Sequence, residues 1–284
     1  MRLLVTGAAG MLGQDVLRAA RHAGHDVVGL PRAELDITDA RAVEAVLAGE
    51  RPDAVVNCAA WTDVDGAEEA PEAAARVNGE GAGVVARAAA AAGAAVVHVS
   101  SDYVFDGRGT RPYVESDPVN PLSAYGVTKL EGERAVVAAN PRHAIARSSW
   151  LFGVHGRNFV ATMLRLADER DEVMVVDDQV GCPTWTGHLA GALVALAAAG
   201  DAARGIFHVA GAGSCSWHEF ATEIFAQARA DCAVLPCRTR DMPRPAPRPA
   251  YSVLGTERDG PRLPDWREGL AGYLAERSSL GVAP

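Results

Sequence analysis

The N-terminal segment of the chain contains the pattern that most constrains its fold. An apolar run at residues 3–6 predicts a buried strand, and the glycine-rich segment Gly7-Ala8-Ala9-Gly10-Met11-Leu12-Gly13 follows it directly. A helical pattern then continues to His22 and ends near Gly24. A strand, a glycine-rich turn and a helix in this order are typical of a dinucleotide-binding unit. The glycines let the backbone approach a pyrophosphate, whose charge lies at the helix N-terminus.

Strands and helices continue to alternate through the first half of the chain. Further strands are predicted at residues 26–30, 53–57 and 94–100, with helices from residue 38 or 39 to about 49 and over 71–92. This alternation predicts an α/β fold, a Rossmann-type doubly wound parallel sheet, with residues 1–150 as an NAD(P)-binding domain. Ligands of such sheets bind at the carboxyl ends of the strands, where Gly10, Ala60 and Ser101 fall.

The end of the second predicted strand bears on the choice of cofactor. A cofactor without a 2′-phosphate usually meets an acidic residue there, but the sequence reads Leu30-Pro31-Arg32. With no carboxylate to repel a phosphate and with a guanidinium at hand, the sequence favours NADP(H). The alternative interpretation of Arg32 is a solvated surface charge.

The only lysine of the chain, Lys129, lies four residues after Tyr125. The run from Ala124 to Ala139 lacks proline and follows Ser123, which predicts a helix with Ser123 as its N-cap. Residues four apart share one helix face, and a neighbouring cation favours the phenolate form of tyrosine. The spacing therefore predicts a tyrosine that exchanges a proton, although an exposed lysine on an amphipathic helix would give the same pattern.

Composition excludes several classes of protein. The 284 residues carry a formal net charge of −9, which argues against a nucleic-acid partner, and no apolar stretch is long enough to span a bilayer. The basic segment 238–248 is short and suits a small anion. Five cysteines form no C-x-x-C pair, which argues against disulfides or zinc, and no signal peptide is recognisable, so we expect a cytoplasmic protein. The acidic residues at 63–69 are interpreted as a solvated loop rather than a metal site.

The second half has a less regular pattern. Helices are predicted at residues 158–169, from 186 or 187 to about 199, from Ser216 onward with Glu219 completing a capping box, and around 266–276. Strands are predicted at 172–176 and 205–209, with a loop over 177–186. We expect residues 151–284 to form mainly a smaller C-terminal substrate-binding lobe, with some segments returning to the large sheet.

Taken together, these residues resemble the extended short-chain dehydrogenase/reductase family. Gly7, Gly10 and Gly13 match its cofactor loop, and Ser101, Tyr125 and Lys129 match its catalytic set, with Asn78 as a further member. Four longer segments are similar to the dTDP-4-dehydrorhamnose reductases within that family: residues 100–107, 147–150, 178–184 and 245–254. One departure is Ser101, where these reductases usually have threonine, but either hydroxyl donates a hydrogen bond.

The resemblance implies an enzyme that reduces the C4 ketone of a nucleotide-linked 6-deoxyhexose with NADPH, or with NADH as the alternative. Tyr125 would supply the proton, Ser101 would hold the ketone oxygen, Lys129 would keep Tyr125 acidic and grip the nicotinamide ribose, and Asn78 would support a water that relays protons to Lys129. The implied cofactor contacts, besides Tyr125 and Lys129, are Gly7, Gly10, Met11, Leu12, Gly13, Arg32, Asp36, Ile37, Ala59, Ala60 and Thr62. The implied substrate contacts are Ser101, Asp102, Tyr103, Val104, Trp150 and Arg248, the last on the substrate pyrophosphate.

The sequence says less about metal binding and about the oligomeric state. Some relatives bind magnesium at a dimer contact, but only Asp15 matches one of the ligands, so we predict no metal. The chain is expected to act as a monomer or a homodimer.

Two other functions fit parts of the pattern. A nucleotide-sugar dehydratase resembles this chain but has Asp-Glu after the strand-tip hydroxyl, whereas Asp102 is followed by Tyr103 here; an epimerase of the same superfamily is a related alternative. A non-catalytic regulatory subunit, like the one that accompanies methionine adenosyltransferase, can retain both Tyr125 and Lys129. Turnover of NADPH with a keto-sugar would distinguish the reductase from the regulatory subunit.

Overall fold

The computed structural model describes residues 1–281, in which strands and helices alternate. The strands are β1 (Arg2–Thr6), β2 (Asp26–Leu30), β3 (Ala54–Asn57), β4 (Ala95–Ser101), β5 (His143–Ser148), β6 (Leu151–Phe152), β7 (Glu172–Val176), β8 (Val180–Gly181), β9 (Thr184–Trp185), β10 (Gly205–His208), β11 (Cys215–Ser216) and β12 (Ala233–Cys237). The helices are α1 (Met11–His22), α2 (Ala40–Glu50), α3 (Val64–Glu69), α4 (Pro71–Ala75), α5 (Ala82–Ala91), α6 (Ala124–Ala139), α7 (Phe159–Glu169), α8 (Thr186–Ala199), α9 (Trp217–Ala228) and α10 (Trp266–Ser279).

The larger part of the molecule is built on a parallel sheet of six strands in the order β10-β5-β4-β3-β1-β2. From β1 the chain moves outward to β2 and then returns to place β3 on the opposite side of β1. The carboxyl ends of β1 and β3 therefore border a crevice, which is the usual ligand site of such sheets. The predicted doubly wound parallel sheet is confirmed.

Both faces of this sheet are buried by helices. Alternate strand residues point to opposite faces, so Leu3 and Val56 pack against α1 and α8, whereas Leu4, Val55 and Ile145 pack against α2 and α5. Strands that are covered on both sides require continuous apolar runs, which explains why residues 3–5 and 54–56 carry no polar side chain.

The smaller part of the molecule has its own apolar core. Helices α7, α9 and α10 pack around the parallel pair β7 and β12, with Phe152, Phe220 and Trp266 among the fully buried side chains. However, α8 and β10 follow residue 150 and lie in the layers of the large sheet. A domain boundary at residue 150 therefore stays a prediction, and residues 282–284 of the predicted lobe lie outside the described residues.

Several predicted elements have the expected ends. Helix α6 spans Ala124–Ala139, and the Ser123 hydroxyl accepts a hydrogen bond from the Gly126 amide at its N-terminus. Helix α9 begins with the predicted capping box of Ser216 and Glu219. The predicted loop at 177–186 also contains the short strands β8 and β9.

The continuous α-helix predicted over residues 71–92 is wrong in one respect. A π-helical turn, Arg76–Gly81, separates α4 from α5. The turn carries Asn78, whose side chain is hydrogen-bonded to the backbone of Trp61. It also lies very close to α6, because a Cβ atom at Gly132 would be 2.1 Å from the Asn78 carbonyl oxygen. A π-turn inserts a residue into a helix without ending it, and the apolar pattern alone does not reveal it.

Among residues 1–281, none of the helices combines the length and the apolar character needed to cross a membrane.

Candidate active site

A cavity of about 830 Å³ lies at the carboxyl edge of the large sheet, between the glycine-rich loop and the smaller part of the molecule. Its walls include all the predicted cofactor contacts: Gly7, Gly10, Met11, Leu12, Gly13, Arg32, Asp36, Ile37, Ala59, Ala60, Thr62, Tyr125 and Lys129. Of the other predicted residues, Ser101, Asp102, Tyr103 and Trp150 also line it. One cavity thus brings together most of the residues that the sequence singled out.

The glycine-rich loop forms one end of the cavity. Gly7 has a φ of 66°, and a Cβ atom there would lie 2.7 Å from the Ala59 amide nitrogen, so a side chain at this position would clash. Helix α1 begins after Gly10 without a side-chain cap and without an acidic residue in its first turn. Its free amide groups and its positive dipole end can therefore receive an anion, as a dinucleotide pyrophosphate requires.

Arg32 lies at the same end and is available for a ligand. Its side chain is 82% exposed, and its Nε lies 3.9 Å from the Asp36 carboxylate. Hydrogen bonds from the Thr38 amide and hydroxyl lower the pKa of Asp36, which keeps that carboxylate charged. An acidic residue therefore does reach this end of the cavity, four residues beyond the arginine rather than at the tip of β2.

Tyr125 and Lys129 reach the opposite end from α6. Lys129 is 2% exposed, and its Nζ donates a hydrogen bond of 2.7 Å to the Val99 carbonyl of β4. Burial lowers the pKa of Lys129 to about 8, against the opposing effect of Glu133. The pKa of the Tyr125 phenol is raised to about 12 by burial, although a hydrogen bond with Ser101 limits the rise.

The pKa of Tyr125 is raised in this structure rather than lowered, so the expected effect of Lys129 on this phenol stays a prediction. Desolvation of the phenol is the main cause of this raised pKa, and the Lys129 ammonium, which donates a hydrogen bond to the Val99 carbonyl, is not among the causes of the shift. Tyr125 consequently holds its proton at neutral pH. The arrangement suits a proton donor better than a base.

Ser101 ends β4, and Asp102 and Tyr103 follow it in a short 3₁₀ turn. Burial raises the pKa of Asp102 to about 6, and hydrogen bonds with Ser252 and Ser101 limit the rise. The ring of Tyr103 meets that of Tyr125 edge to face, with centroids 5.6 Å apart. Burial also raises the pKa of Tyr103, so both phenols stay neutral.

Three predicted site residues do not line the cavity. Asn78 is fully engaged, because its Oδ1 accepts from the Trp61 amide while its Nδ2 donates to the Trp61 carbonyl and the Thr128 hydroxyl. Its side chain holds the segment after β3, and its predicted support of a water beside Lys129 stays a prediction. Val104 is completely buried in a small apolar cluster with Phe105.

Arg248 is the third predicted site residue that does not line the cavity. Its Nη2 lies 2.9 Å from the Asp65 carboxylate, and its Nη1 donates to the Ala246 carbonyl. The predicted interaction with a substrate pyrophosphate would require this ion pair to open or to be shared.

The structure adds residues that the sequence did not indicate, chiefly Trp217 at the start of α9. Its ring is stacked on that of Trp150, with centroids 3.5 Å apart and planes 4° from parallel. Its Nε1 also donates to the Gln179 side chain, which fixes the orientation of the ring. Other lining residues without a predicted role are Trp61, Ser148, Ser149, His155 and Arg157.

Asp15 shows no sign of a metal centre. Its carboxylate is buried and lies 2.8 Å from the Arg18 guanidinium. Within residues 1–281, no group of three or more His, Cys, Asp or Glu side chains is placed to hold a metal ion. The absence of a metal stays a prediction.

Comparison with known proteins identifies relatives that match nearly the whole chain. The sequence matches the family described as RmlD substrate binding domain over residues 1–279. A dTDP-4-dehydrorhamnose reductase from Streptomyces griseus is 49% identical over 262 residues, which cover 90% of this chain and 86% of the relative. A dTDP-4-keto-6-deoxy-D-glucose reductase from Streptomyces niveus is 45% identical over 273 residues, which cover 94% of this chain and 90% of the relative.

A crystal structure with a bound cofactor has the same fold. The dTDP-4-dehydrorhamnose reductase of Bacillus anthracis in complex with NADP matches with a TM-score of 0.93 at 37% identity, covering 97% of this chain and 99% of that one. Similarity of sequence and of structure thus extends over both parts of the molecule. The chain belongs to the dTDP-4-dehydrorhamnose reductase family of NAD(P)-dependent oxidoreductases.

Proposed function

We propose that this protein reduces the C4 ketone of a dTDP-4-keto-6-deoxyhexose with NADPH, converting dTDP-4-dehydrorhamnose to dTDP-rhamnose or acting on a close deoxysugar analogue. The observation that carries the proposal is the single cavity that joins the glycine-rich loop to Tyr125 and Ser101. The names of the relatives and the NADP complex of one of them support the same reaction.

The cofactor end of the cavity fits a dinucleotide. The uncapped N-terminus of α1 provides amide donors for the pyrophosphate, and the close approach of Gly7 to Ala59 leaves no room for a side chain in the loop. The exposed Arg32 guanidinium suits the 2′-phosphate of NADPH, with NADH as the weaker alternative. When bound, NADPH supplies the hydride.

At the other end of the cavity, side chains stabilise and neutralise the negative charge that develops on the ketone oxygen. Tyr125 keeps its proton in the resting enzyme and gives it up only when this oxygen becomes basic. Ser101 donates a hydrogen bond to the same oxygen, a stabilisation that strengthens as the charge grows. The Lys129 ammonium binds the nicotinamide ribose hydroxyls and stabilises the tyrosinate that remains.

The aromatic wall formed by Trp150 and Trp217 borders the space for the sugar. Tyr103 and Asp102 complete this side of the cavity and offer a hydroxyl and a carboxylate to sugar hydroxyl groups. Arg248 joins the substrate pyrophosphate if its ion pair with Asp65 opens. The protein acts as a monomer or a homodimer, which analytical ultracentrifugation distinguishes.

The test is to follow NADPH absorbance with dTDP-4-dehydrorhamnose and with dTDP-4-keto-6-deoxy-D-glucose in separate reactions. Oxidation of NADPH with either sugar, together with the C4 configuration of the product by NMR, identifies the substrate. Tight NADP binding without turnover of any keto-sugar would contradict the proposal and favour a regulatory subunit. In a separate reaction with dTDP-glucose, loss of water without net oxidation of the cofactor would favour a dehydratase.

A further inference from the structure

A buried ion pair lies behind the cavity, one helical turn beyond Lys129. Arg147 of β5 makes a two-pronged contact with Glu133 of α6, with Nε 2.8 Å from Oε1 and Nη2 2.7 Å from Oε2. The Ser100 hydroxyl donates a further hydrogen bond of 2.6 Å to Oε1. The two charged side chains are only 2% and 4% exposed, so both partners are almost fully removed from water.

Burying two charged side chains carries a large desolvation cost. Replacing a buried ion pair by apolar side chains of similar size is often neutral or stabilising. Lys129 lies four residues before Glu133 and therefore on the same face of α6. This placement points to an electrostatic role for the pair in the chemistry of Lys129.

Lys129 has few sources of stabilisation for its positive charge. Its Nζ is buried and donates a hydrogen bond to the Val99 carbonyl. The titratable groups that face it are Cys58 after β3, His98 in β4, and Tyr125 and Glu133 on its own helix. The Glu133 carboxylate is the strongest of the groups that favour the charged form of this lysine.

The partners of Glu133 explain why it does not bind Lys129 directly. Arg147 and Ser100 together occupy both carboxylate oxygens and hold them toward β4 and β5. A carboxylate free to turn would pair with the ammonium one helical turn away and draw it out of the cavity. Held in place, it acts on Lys129 through space and leaves Nζ available for a ligand.

We propose that Glu133 is a positioning residue that keeps Lys129 in its ammonium form, and that Arg147 and Ser100 hold the Glu133 carboxylate out of contact with Nζ. This inference deepens the proposed function, because it concerns a residue that acts through Lys129. It assigns a role to a buried charge pair that has no contact with the cavity.

The chain offers a direct measurement, because Lys129 is its only lysine. Protein labelled with ¹³C at the lysine ε-carbon gives a single lysine resonance, whose titration reports the pKa of Lys129 without assignment. Glu133→Gln removes the charge but keeps the shape. We expect the lysine pKa to fall by about one unit, the lower end of the effect of one neighbouring opposite charge.

Matched variants separate this role from a structural one. Glu131→Gln on the exposed side of α6 is the control and leaves the titration unchanged. Arg147→Gln frees the Glu133 carboxylate to approach Nζ, so the lysine pKa rises. General loosening of the site would instead let water reach Lys129 and raise its pKa in both variants.

If Glu133→Gln fails to fold, the double variant Glu133→Gln/Arg147→Met is titrated in its place. It removes both members of the ion pair and so leaves neither as an unpaired buried charge. A lower lysine pKa in this variant supports the proposal. An unchanged or higher lysine pKa in the variants that lack Glu133 would overturn it, and a lower pKa in Arg147→Gln would overturn the part assigned to Arg147. The titration needs no substrate, so its result does not depend on whether the protein reduces a keto-sugar.

Discussion

The Ser101 hydroxyl donates a hydrogen bond of 3.0 Å to the carboxylate of Asp102, the next residue in the chain. Asp102 is 2% exposed, and burial raises its pKa to about 6. The hydroxyl that we assign to the ketone oxygen is therefore bound, before substrate arrives, to an acid that changes its charge near neutral pH. Ionisation of Asp102 therefore affects both the stability of the folded chain and the hydrogen bond that the Ser101 hydroxyl makes in the site.

Asp102→Asn should stabilise the protein at high pH while lowering its activity. The pKa of Asp102 is higher in the folded chain than its ordinary value, so ionisation of Asp102 costs stability above about pH 6 and the cost disappears as the pH falls toward 4. We expect about 1–3 kcal/mol of added stability at pH ~8 and little change at pH ~4, measured by urea unfolding. Asp168→Asn, at an exposed position, serves as the control. Equal stability of the variant and the wild type at pH ~8 would count against a raised pKa of Asp102 in the folded chain.

Tyr125→Phe should abolish most turnover without weakening the cofactor complex. The phenylalanine keeps the ring that packs against Tyr103 but removes the proton donor. We expect kcat to fall by about 10²- to 10⁴-fold, the usual contribution of a positioned acid. Fluorescence titration with NADPH should give an unchanged Kd. A variant with wild-type kcat would show that another group delivers the proton.

Cofactor binding should weaken as the pH rises through about 8. Burial lowers the pKa of Lys129 from that of an ordinary lysine, so its ammonium is lost in a range where an exposed lysine stays charged. Below this pKa the charge is present and binds the ribose hydroxyls. The check is the Kd for NADPH measured from pH ~6 to ~10, where a flat profile would contradict the role of the ammonium.

Arg32→Ala should impair NADPH binding much more than NADH binding. The guanidinium is exposed at the cofactor end of the cavity and pairs with Asp36 only at 3.9 Å, so it is available for a 2′-phosphate. A lost charge-assisted hydrogen bond corresponds to about a tenfold or larger rise in the NADPH Kd. Arg41→Ala on the exposed side of α2 is the matched control. Equal losses for both cofactors would remove Arg32 from 2′-phosphate recognition.

Trp217→Ala should raise the KM for the nucleotide sugar and leave the NADPH Kd unchanged. Trp150 has an unusual positive φ of 47° and is stacked on Trp217, so loss of the second ring frees the first. Trp217→Phe retains an aromatic ring but loses the hydrogen bond to Gln179, and an intermediate KM is expected. Steady-state kinetics with both variants would refute the role of this wall if KM stayed at the wild-type value.

Local sequence patterns predicted the parts of the site that short segments determine. The glycine-rich loop follows β1 directly, and the spacing of Tyr125 and Lys129 places both on one face of α6, so both reach the cavity once α6 packs on the sheet. Trp217 lies 67 residues after Trp150, and no pattern in the sequence indicates that the two rings meet. The only local feature that marks Trp217 is its position at the start of α9, directly after the Ser216 N-cap.

The differences between the sequence predictions and the structure also come from contacts between distant segments. Val104 lies next to Tyr103, but the short turn directs it into the core. Arg248 is paired with Asp65, which is 183 residues away in the sequence. The π-turn around Asn78 depends on the close packing of α6, so a helical pattern alone could not reveal it.

The return of β10 to the edge of the large sheet has a consequence for synthesis of the chain. When the ribosome has released residues 1–150, five of the six strands exist, but the β5 edge is unpaired and the face later covered by α8 is bare. The face can be covered once residue 199 has emerged, but the edge can be paired only after residue 208, so the nascent chain exposes an aggregation-prone edge for several seconds of translation. Chaperone association should therefore peak in that interval.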